Sequence, residues 1–176
     1  MRITLLGRIV NYVIEKCIYI KHLFFVTFSL NSMHLKNILK VTPYQDIRKK
    51  IWIKLGNKIG ERAYINNSIN LIDTPDLEVN VILGNGVATA PGITFITCSA
   101  PNDSIIRTSE KTKRYIKTGT IEIGDDTWIG ANCVIQPGVK IGKCCIIGSM
   151  SNVTKDIPDY SLAYGNPAKI VRKIEL

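Results

Sequence analysis

The chain has 176 residues, 45% of them hydrophobic, which suits one ordinary globular domain with a real core and a short extension. Its formal net charge is +9, but residues 1–60 hold eleven Lys/Arg against two acids while residues 61–176 hold twelve of each, so the basic excess is wholly N-terminal. A nucleic-acid binder carries base on its folded face with aromatic residues among it, so this placement argues against nucleic acid and favours contact with an anionic surface.

Residues 3–30 are apolar but are interrupted by Arg8, Glu15, Lys16, Lys21 and His22, and no uncharged run reaches the ~20 residues that span a bilayer. Leu5, Leu6, Ile9, Val10, Val13 and Ile14 recur at helical spacing, which predicts a helix. No small-residue cleavage site follows it, so a signal peptide is not expected. The helix either packs on its own protein or a neighbouring subunit, or makes peripheral membrane contact through residues 1–30. A third reading starts the natural chain at Met33. Residues 43–56 predict a second short helix, with Pro43 in its first turn, Ile47, Ile51 and Leu55 on one face, and Gly56 closing it.

From Ile59 the period becomes six. Ile59, Ile65, Leu71, Leu77, Leu83, Thr89 and Phe95 are in phase, and the rhythm resumes at Ile123, Ile129, Ile135, Ile141, Ile147 and Val153. Phe95 and Ile123 are 28 residues apart, so the segment between them, 98–120, reads as a polar, basic loop thrown out from the repeat. Small or apolar residues recur at Thr127, Cys133, Val139, Cys145, Ser151 and Ile157. A fixed short period is the mark of a solenoid. Each hexad supplies one strand and one turn, and three make a triangular coil with the aliphatic residues stacked inside. The predicted fold class is all-β: a left-handed parallel β-helix of hexapeptide repeats with an N-terminal helical segment and a protruding loop. The expected divisions are 1–57 (helical and basic), 58–164 (β-helix with the inserted loop) and 165–176 (C-terminal segment). Trp128 is expected to pack at a coil corner.

The five cysteines, at 17, 98, 133, 144 and 145, form no CxxC pair, and His22 and His34 are the only histidines, so no zinc spacing is present. Reduced thiols in a cytoplasmic protein are the expectation.

Residues 121–174, with WIGANC, IQPGVKIG, VTKDIP and GNPAKIVRKI in order, resemble the hexapeptide acyltransferases, closest to the galactoside, maltose and polysaccharide O-acetyltransferases. LGNGVATAPGITFIT (83–97) is similar to that family's preceding coil, and the resemblance covers about residues 43–176. It implies transfer of an acetyl group from acetyl-CoA to a hydroxyl or amine, by a homotrimer with CoA held between neighbouring β-helices and without metal. Such chemistry needs a base for the acceptor proton, an N–H for the oxyanion, and cations for the CoA phosphates.

By position, the resemblance puts Ala131 beside the thioester and Ser149 where a backbone N–H meets the CoA arm. It assigns Thr154 and Lys155 to the pantetheine and phosphate track, and Arg172 to the CoA phosphates. Pro167 is expected to turn the chain into its C-terminal segment. Asn66 and Asp73 align loosely with residues that face a saccharide acceptor, and both also suit turns. A role in surface-polysaccharide synthesis at the inner face of the membrane follows from the same resemblance and the basic N-terminus.

The family's histidine at the root of the protruding loop is missing. The chain reads Thr97-Cys98-Ser99-Ala100-Pro101, so Ala100 occupies the vacated position if Pro101 is the anchor, and Cys98 occupies it if the histidine directly follows the threonine. The residue was changed to alanine deliberately, or the chain uses another group such as Cys98, Asp103 or the substrate itself, or it no longer catalyses. In the last case the expectation is a CoA-binding pseudoenzyme or a trimeric scaffold. The γ-type carbonic anhydrases share the fold but need three histidines on zinc, and the repeat region has none.

Overall fold

A computed structural model of the chain describes residues 5–28, 31–101 and 103–176. Three helices lead into the repeat: α1 (Leu5–Phe28), α2 (Ser32–Val41) and α3 (Gln45–Lys54). Helix α2 was not expected from the pattern. Its start is set by Asn31, whose side-chain oxygen accepts from the N–H groups of Met33 (2.9 Å) and His34 (3.4 Å), and it buries only Leu35 and Leu39, one turn apart. Pro43 lies just ahead of α3 rather than in its first turn, since Tyr44 is the capping residue. Gly56 follows α3 at φ +80°, as a terminating glycine should.

The repeat then winds through three parallel faces. The first coil runs β1 (Lys58–Ile59), an isolated bridge at Tyr64, and β2 (Asn70–Ile72). The second runs β3 (Val81–Leu83), β4 (Ala88–Thr89) and β5 (Thr94–Ile96). An arm follows, with a two-stranded antiparallel stem of β6 (Cys98–Ser99) and β7 (Lys117–Thr118), a short helix α4 (Ile105–Thr108) and a 3₁₀ turn at Lys113–Tyr115. The third coil is β8 (Ile121–Ile123), β9 (Trp128–Ile129) and β10 (Val134–Ile135). The fourth is β11 (Lys140–Ile141), β12 (Ile146–Ile147) and β13 (Asn152–Val153). The chain closes with β14 (Ser161–Gly165) and β15 (Ala168–Lys173), an antiparallel hairpin turned at Asn166–Pro167.

The faces are β1-β3-β8-β11, β4-β9-β12-β14-β15 and β2-β5-β10-β13. Strands consecutive in the coils fall on successive faces and every pairing between coils is parallel, which defines a three-sided parallel β-helix. Register keeps like over like: Leu71, Phe95, Ile135 and Val153 stack on the third face, and Leu83, Ile123 and Ile141 on the first. All are buried, and each such side chain contributes roughly 1.5–3 kcal/mol over its exposed state.

Two hexad positions differ from the expected phase. Leu77 is no coil position: it lies in an insert, Asp73–Asn80, between β2 and β3, and the insert keeps the count of six by coincidence of length. Ile157 pairs with Ile141, sixteen residues back instead of the eighteen of a full coil, because the corner through Thr154, Lys155 and Asp156 is two residues shorter than its counterparts. Trp128 is not at a corner either. It stands in β9 between Ala88 and Ile146, facing outward and 55% exposed.

The open end of the coil is closed by α3. Ile47, Ile51 and Trp52 are fully buried, and the Trp52 ring meets Phe95 edge-on at 5.7 Å. Arg48, also buried, donates from Nε to the Ile65 carbonyl (2.6 Å) and from Nη1 to the Thr42 carbonyl (2.7 Å). Burial lowers its pKa from the ordinary arginine value, and the two carbonyls supply what water would otherwise give. Helix α1 lies across α3 through Tyr19, whose hydroxyl donates to Asp46 (2.6 Å), and through Lys54, which donates to the Val26 carbonyl (2.7 Å).

Candidate functional site

Two corners of the triangle carry the residues singled out from the sequence. The corner between the second and third faces holds Ala131 in the third coil and Ser149 in the fourth. The Ala131 N–H donates to the Ser149 hydroxyl (3.2 Å), and the Met150 N–H donates to the Ala131 carbonyl (2.8 Å). This stacking is possible because Gly130 has no side chain: a Cβ there would sit 2.6 Å from the Ser149 nitrogen and 2.8 Å from the Ile147 oxygen. Asn66 belongs to the same corner in the first coil, two coils away from Ala131. Its N–H donates to the Thr89 hydroxyl (2.9 Å) and its side-chain oxygen accepts from the Asn67 N–H (2.8 Å), which is the work of a turn residue.

The corner between the third and first faces holds Thr154 and Lys155 in the fourth coil, both exposed. In the first two coils this corner carries the two insertions, Asp73–Asn80 and the arm. Asp73 forms a salt bridge with Lys36 of α2, so its carboxylate already has a partner. Thr97, fully buried, roots the arm: its hydroxyl donates to Asn80 Oδ1 (2.5 Å), with the Ile72 carbonyl 3.2 Å away, and its carbonyl accepts from the Gly119 N–H (2.9 Å). Asn80 Oδ1 also accepts from the Thr74 N–H (3.1 Å), and Asn80 Nδ2 donates to the Thr74 carbonyl (3.0 Å), so one buried side chain ties the insert to the arm root. Asn80 escaped the sequence reading. Its only signal is an amide immediately before a strand, which turns share.

At the stem of the arm, Cys98 is half-buried and receives a hydrogen bond from the Thr118 hydroxyl (3.5 Å). It stands outside the coil, so it is not one of the buried coil thiols. Those are Cys133 and Cys145, and burial pushes both of their pKa values up. Ala100 is exposed just beyond the stem and has no group that moves a proton. His22 lies in α1 beside the Thr42 hydroxyl (3.1 Å) and His34 lies in α2, so neither belongs to the arm.

Arg172 is on β15 opposite Leu162, an exposed position on the second face. Within one chain the structure thus joins Ala131 to Ser149 and sets Thr154 beside Lys155. Arg172 lies on the second face, which borders the Ala131–Ser149 corner but not the one that holds Thr154 and Lys155, and Asn66 and Asp73 lie at different corners. Among the described residues, no group of three or more His, Cys, Asp or Glu is placed to hold a metal ion. The Ala131 and Met150 N–H groups are engaged within the corner, which leaves small side chains facing outward, and Lys155 and Arg172 are exposed cations. That combination suits a long anionic ligand with an amide-bearing arm.

Known proteins share this architecture. The family described as bacterial transferase hexapeptide (six repeats) matches residues 120–155. Galactoside O-acetyltransferase of Lactococcus lactis is 35% identical over 131 residues, covering 73% of this chain and 59% of its own. A maltose O-acetyltransferase from Clostridium difficile superimposes with a TM-score of 0.56 at 26% identity, over 82% of this chain and 85% of its own. A hexapeptide-repeat-containing acetyltransferase from Vibrio cholerae, solved in complex with acetyl-CoA, gives a TM-score of 0.64 at 25% identity, over 82% of this chain and 85% of its own. The fold is that of a hexapeptide-repeat protein, and the chain is similar in sequence and in structure to hexapeptide-repeat acetyltransferases. It spans between 52 and 59% of the length of the curated relatives compared.

Proposed function

We propose that the protein is an acetyl-CoA-dependent O-acetyltransferase acting on a hydroxyl of a sugar or polysaccharide. The observation that carries this reading is the Ala131–Ser149 corner, with the exposed Thr154 and Lys155 at the next corner of the same coil, in a chain similar to galactoside and maltose O-acetyltransferases. The coil is left-handed, as in that family, and its parts are the helical base 1–57, the β-helix 58–164 and the C-terminal segment 165–176. Three copies form the working unit. Acetyl-CoA lies in the groove between two coils, its thioester by Ala131, its arm along Ser149 and Thr154, and its phosphates with Lys155 and Arg172. The acceptor sugar is drawn to the arm, with Asn66 and Asp73 at its border. A homotrimer accounts for cofactor residues that lie on separate faces of one chain: a neighbour brings the second wall.

The thioester is already activated, so the protein must remove one proton and shelter one oxyanion. The Ala131 and Met150 N–H groups are engaged within the corner, so the second need falls to the backbone N–H of Ser149. The first has no histidine at Ala100 or Cys98, and loss of a general base typically costs ~10²–10⁴ in rate. A slow transferase with intact cofactor binding is the expected behaviour.

The absent histidine also favours a second reading, a CoA-binding protein or scaffold that does not catalyse. Calorimetry with acetyl-CoA, followed by acetyl transfer to a panel of saccharides by the chain and by its Ala100→His and Cys98→His variants, separates the two. Binding plus a gain of several hundred-fold in one variant identifies the vacated position and supports the transferase. Binding with no transfer by any of the three supports the CoA-binding protein, and no binding removes both it and the transferase and leaves the scaffold.

A further inference from the structure

We infer that α1 is an amphipathic helix that seats the protein on an anionic lipid surface. The helix has two faces with different employment. Tyr19, His22, Leu23 and Val26 turn inward: Tyr19 meets Tyr44 edge-on at 5.0 Å, His22 reaches Thr42, and Val26 is buried. On the opposite side Val10, Val13, Cys17, Ile20, Phe24 and Phe28 follow at spacings of three and four, which makes one continuous stripe. Every one of them is exposed, Ile20 to 62%, Phe24 to 59% and Phe28 to 68%. From Val10 to Phe28 the stripe is about 27 Å long at the helical rise. A contiguous apolar surface of that length, opposite a docked face, is not what a solvated helix presents.

The charges choose the occupant. Lys16 and Lys21 flank the stripe on its two sides; the Lys16 ammonium rests over the exposed Tyr12 ring at 5.4 Å, and long side chains of this kind can lift their ammonium groups to a headgroup layer while their stems stay with the apolar residues. Glu15, the acid of this helix, lies on the docked side, where its carbonyl accepts from the Tyr44 hydroxyl (2.8 Å). The flanks therefore offer positive charge alone. Among the described residues of the basic first sixty, Lys36 is the cation in a salt bridge. A second copy seated on this stripe by symmetry would bring like cations together with no acid between them, whereas phosphatidylglycerol or a similar anionic headgroup meets them with the opposite sign. No helix among the described residues is long and apolar enough to cross a membrane, so the helix lies along the surface instead of spanning it. The inference rests on α1 alone and does not depend on the acetyl-transfer reading.

The test is co-sedimentation of the full chain with vesicles of phosphatidylcholine alone and of phosphatidylcholine mixed with phosphatidylglycerol, at low and high salt. Light scattering of the same samples without lipid runs alongside. The expected result is binding to the phosphatidylglycerol vesicles that weakens with salt, and little to the neutral ones. Lys16→Gln and Lys21→Gln should each weaken it about fivefold, with the fold untouched at these exposed sites. Ile20→Asp with Phe24→Asp should abolish it while leaving the helical circular dichroism and the lipid-free mass unchanged. Absence of vesicle binding by the unaltered chain overturns the proposal. So does binding that survives the double aspartate change. A fall in lipid-free mass in that variant overturns it as well, since the stripe would then be an interface between copies.

Discussion

Trp52 closes the coil by standing edge-on to Phe95 at 5.7 Å, so the last helix before the repeat and the third face of its second coil share one apolar contact. Both side chains are among the largest fully buried ones, and the indole N–H is satisfied by the Lys58 carbonyl at 3.1 Å. Trp52→Ala would open a cavity at the end of the coil where no further hexad can fill it. The expected loss is about 3–5 kcal/mol, read by chemical denaturation, while Ile53→Ala at the exposed neighbour should stay within about 0.5 kcal/mol. Equal effects at the two positions would mean that α3 does not plug the coil.

Asn80 gives a second, more local prediction. Its amide satisfies the Thr74 backbone and receives the Thr97 hydroxyl, all in a buried setting. Asn80→Ala leaves the Thr74 N–H and carbonyl without partners at the root of the arm and turns the Thr97 hydroxyl to the Ile72 carbonyl, a cost of about 1–3 kcal/mol. Hydrogen exchange should rise in residues 97–120 and not in coils three and four. Exchange that rises evenly through the chain would show a general destabilisation instead of a loosened root.

The thiols divide by position. Cys133 and Cys145 are buried with pKa values raised by burial, whereas Cys17 is exposed and Cys98 and Cys144 are partly so. A thiol reagent at neutral pH should therefore label no more than three cysteines until denaturant is added. The same two thiols impose an alkaline limit. In the unfolded chain they ionise near their ordinary value of 9.0, and in the folded chain only at higher pH. The unfolded chain thus gives up protons first, so the stability they confer is complete below about pH 9 and falls as pH rises toward the folded value. Cys133→Ala with Cys145→Ala should flatten that alkaline slope, measured by denaturation from pH 8 to 10.

The hexads made most of this architecture legible, because a stacked aliphatic column tolerates few substitutes and recurs at a period no helix shares. The exceptions have physical causes. Leu77 kept the phase because the insert that carries it lengthens its corner by six residues, and periodicity cannot tell an inserted six from a coiled six. Ile157 lost the phase because the Thr154–Asp156 corner is shortened, and the Lys140 N–H finds Asp156 Oδ1 there at 2.8 Å. Helix α2 was invisible because its buried face is two leucines. Trp128 was misplaced because an aromatic residue on a flat outer face reads like one at a corner. Ala131 and Ser149 are singled out separately by resemblance, and the eighteen residues between them, one full coil, are what stack the one on the other. The engagement of Asp73 by Lys36 did not, since it joins the repeat to a helix outside it.

The Ala131–Ser149 corner can be probed without touching its surface chemistry. Gly130 is where two coils approach so closely that a Cβ would meet the Ser149 nitrogen at 2.6 Å and the Ile147 oxygen at 2.8 Å, both of them backbone atoms that cannot swing aside. Gly130→Ala must push the fourth coil away from the third, at a cost of about 1–3 kcal/mol. Ser149→Ala removes only the hydroxyl that accepts from the Ala131 N–H at an exposed corner, and water replaces it for under about 1 kcal/mol. Stability should therefore order as Ser149→Ala above Gly130→Ala. The affinity for acetyl-CoA by calorimetry should follow the same order, because displacing the corner moves every N–H that would face the cofactor arm while deleting the hydroxyl moves none. An affinity lost in Ser149→Ala but kept in Gly130→Ala would assign the contact to the serine side chain and not to the backbone of the corner.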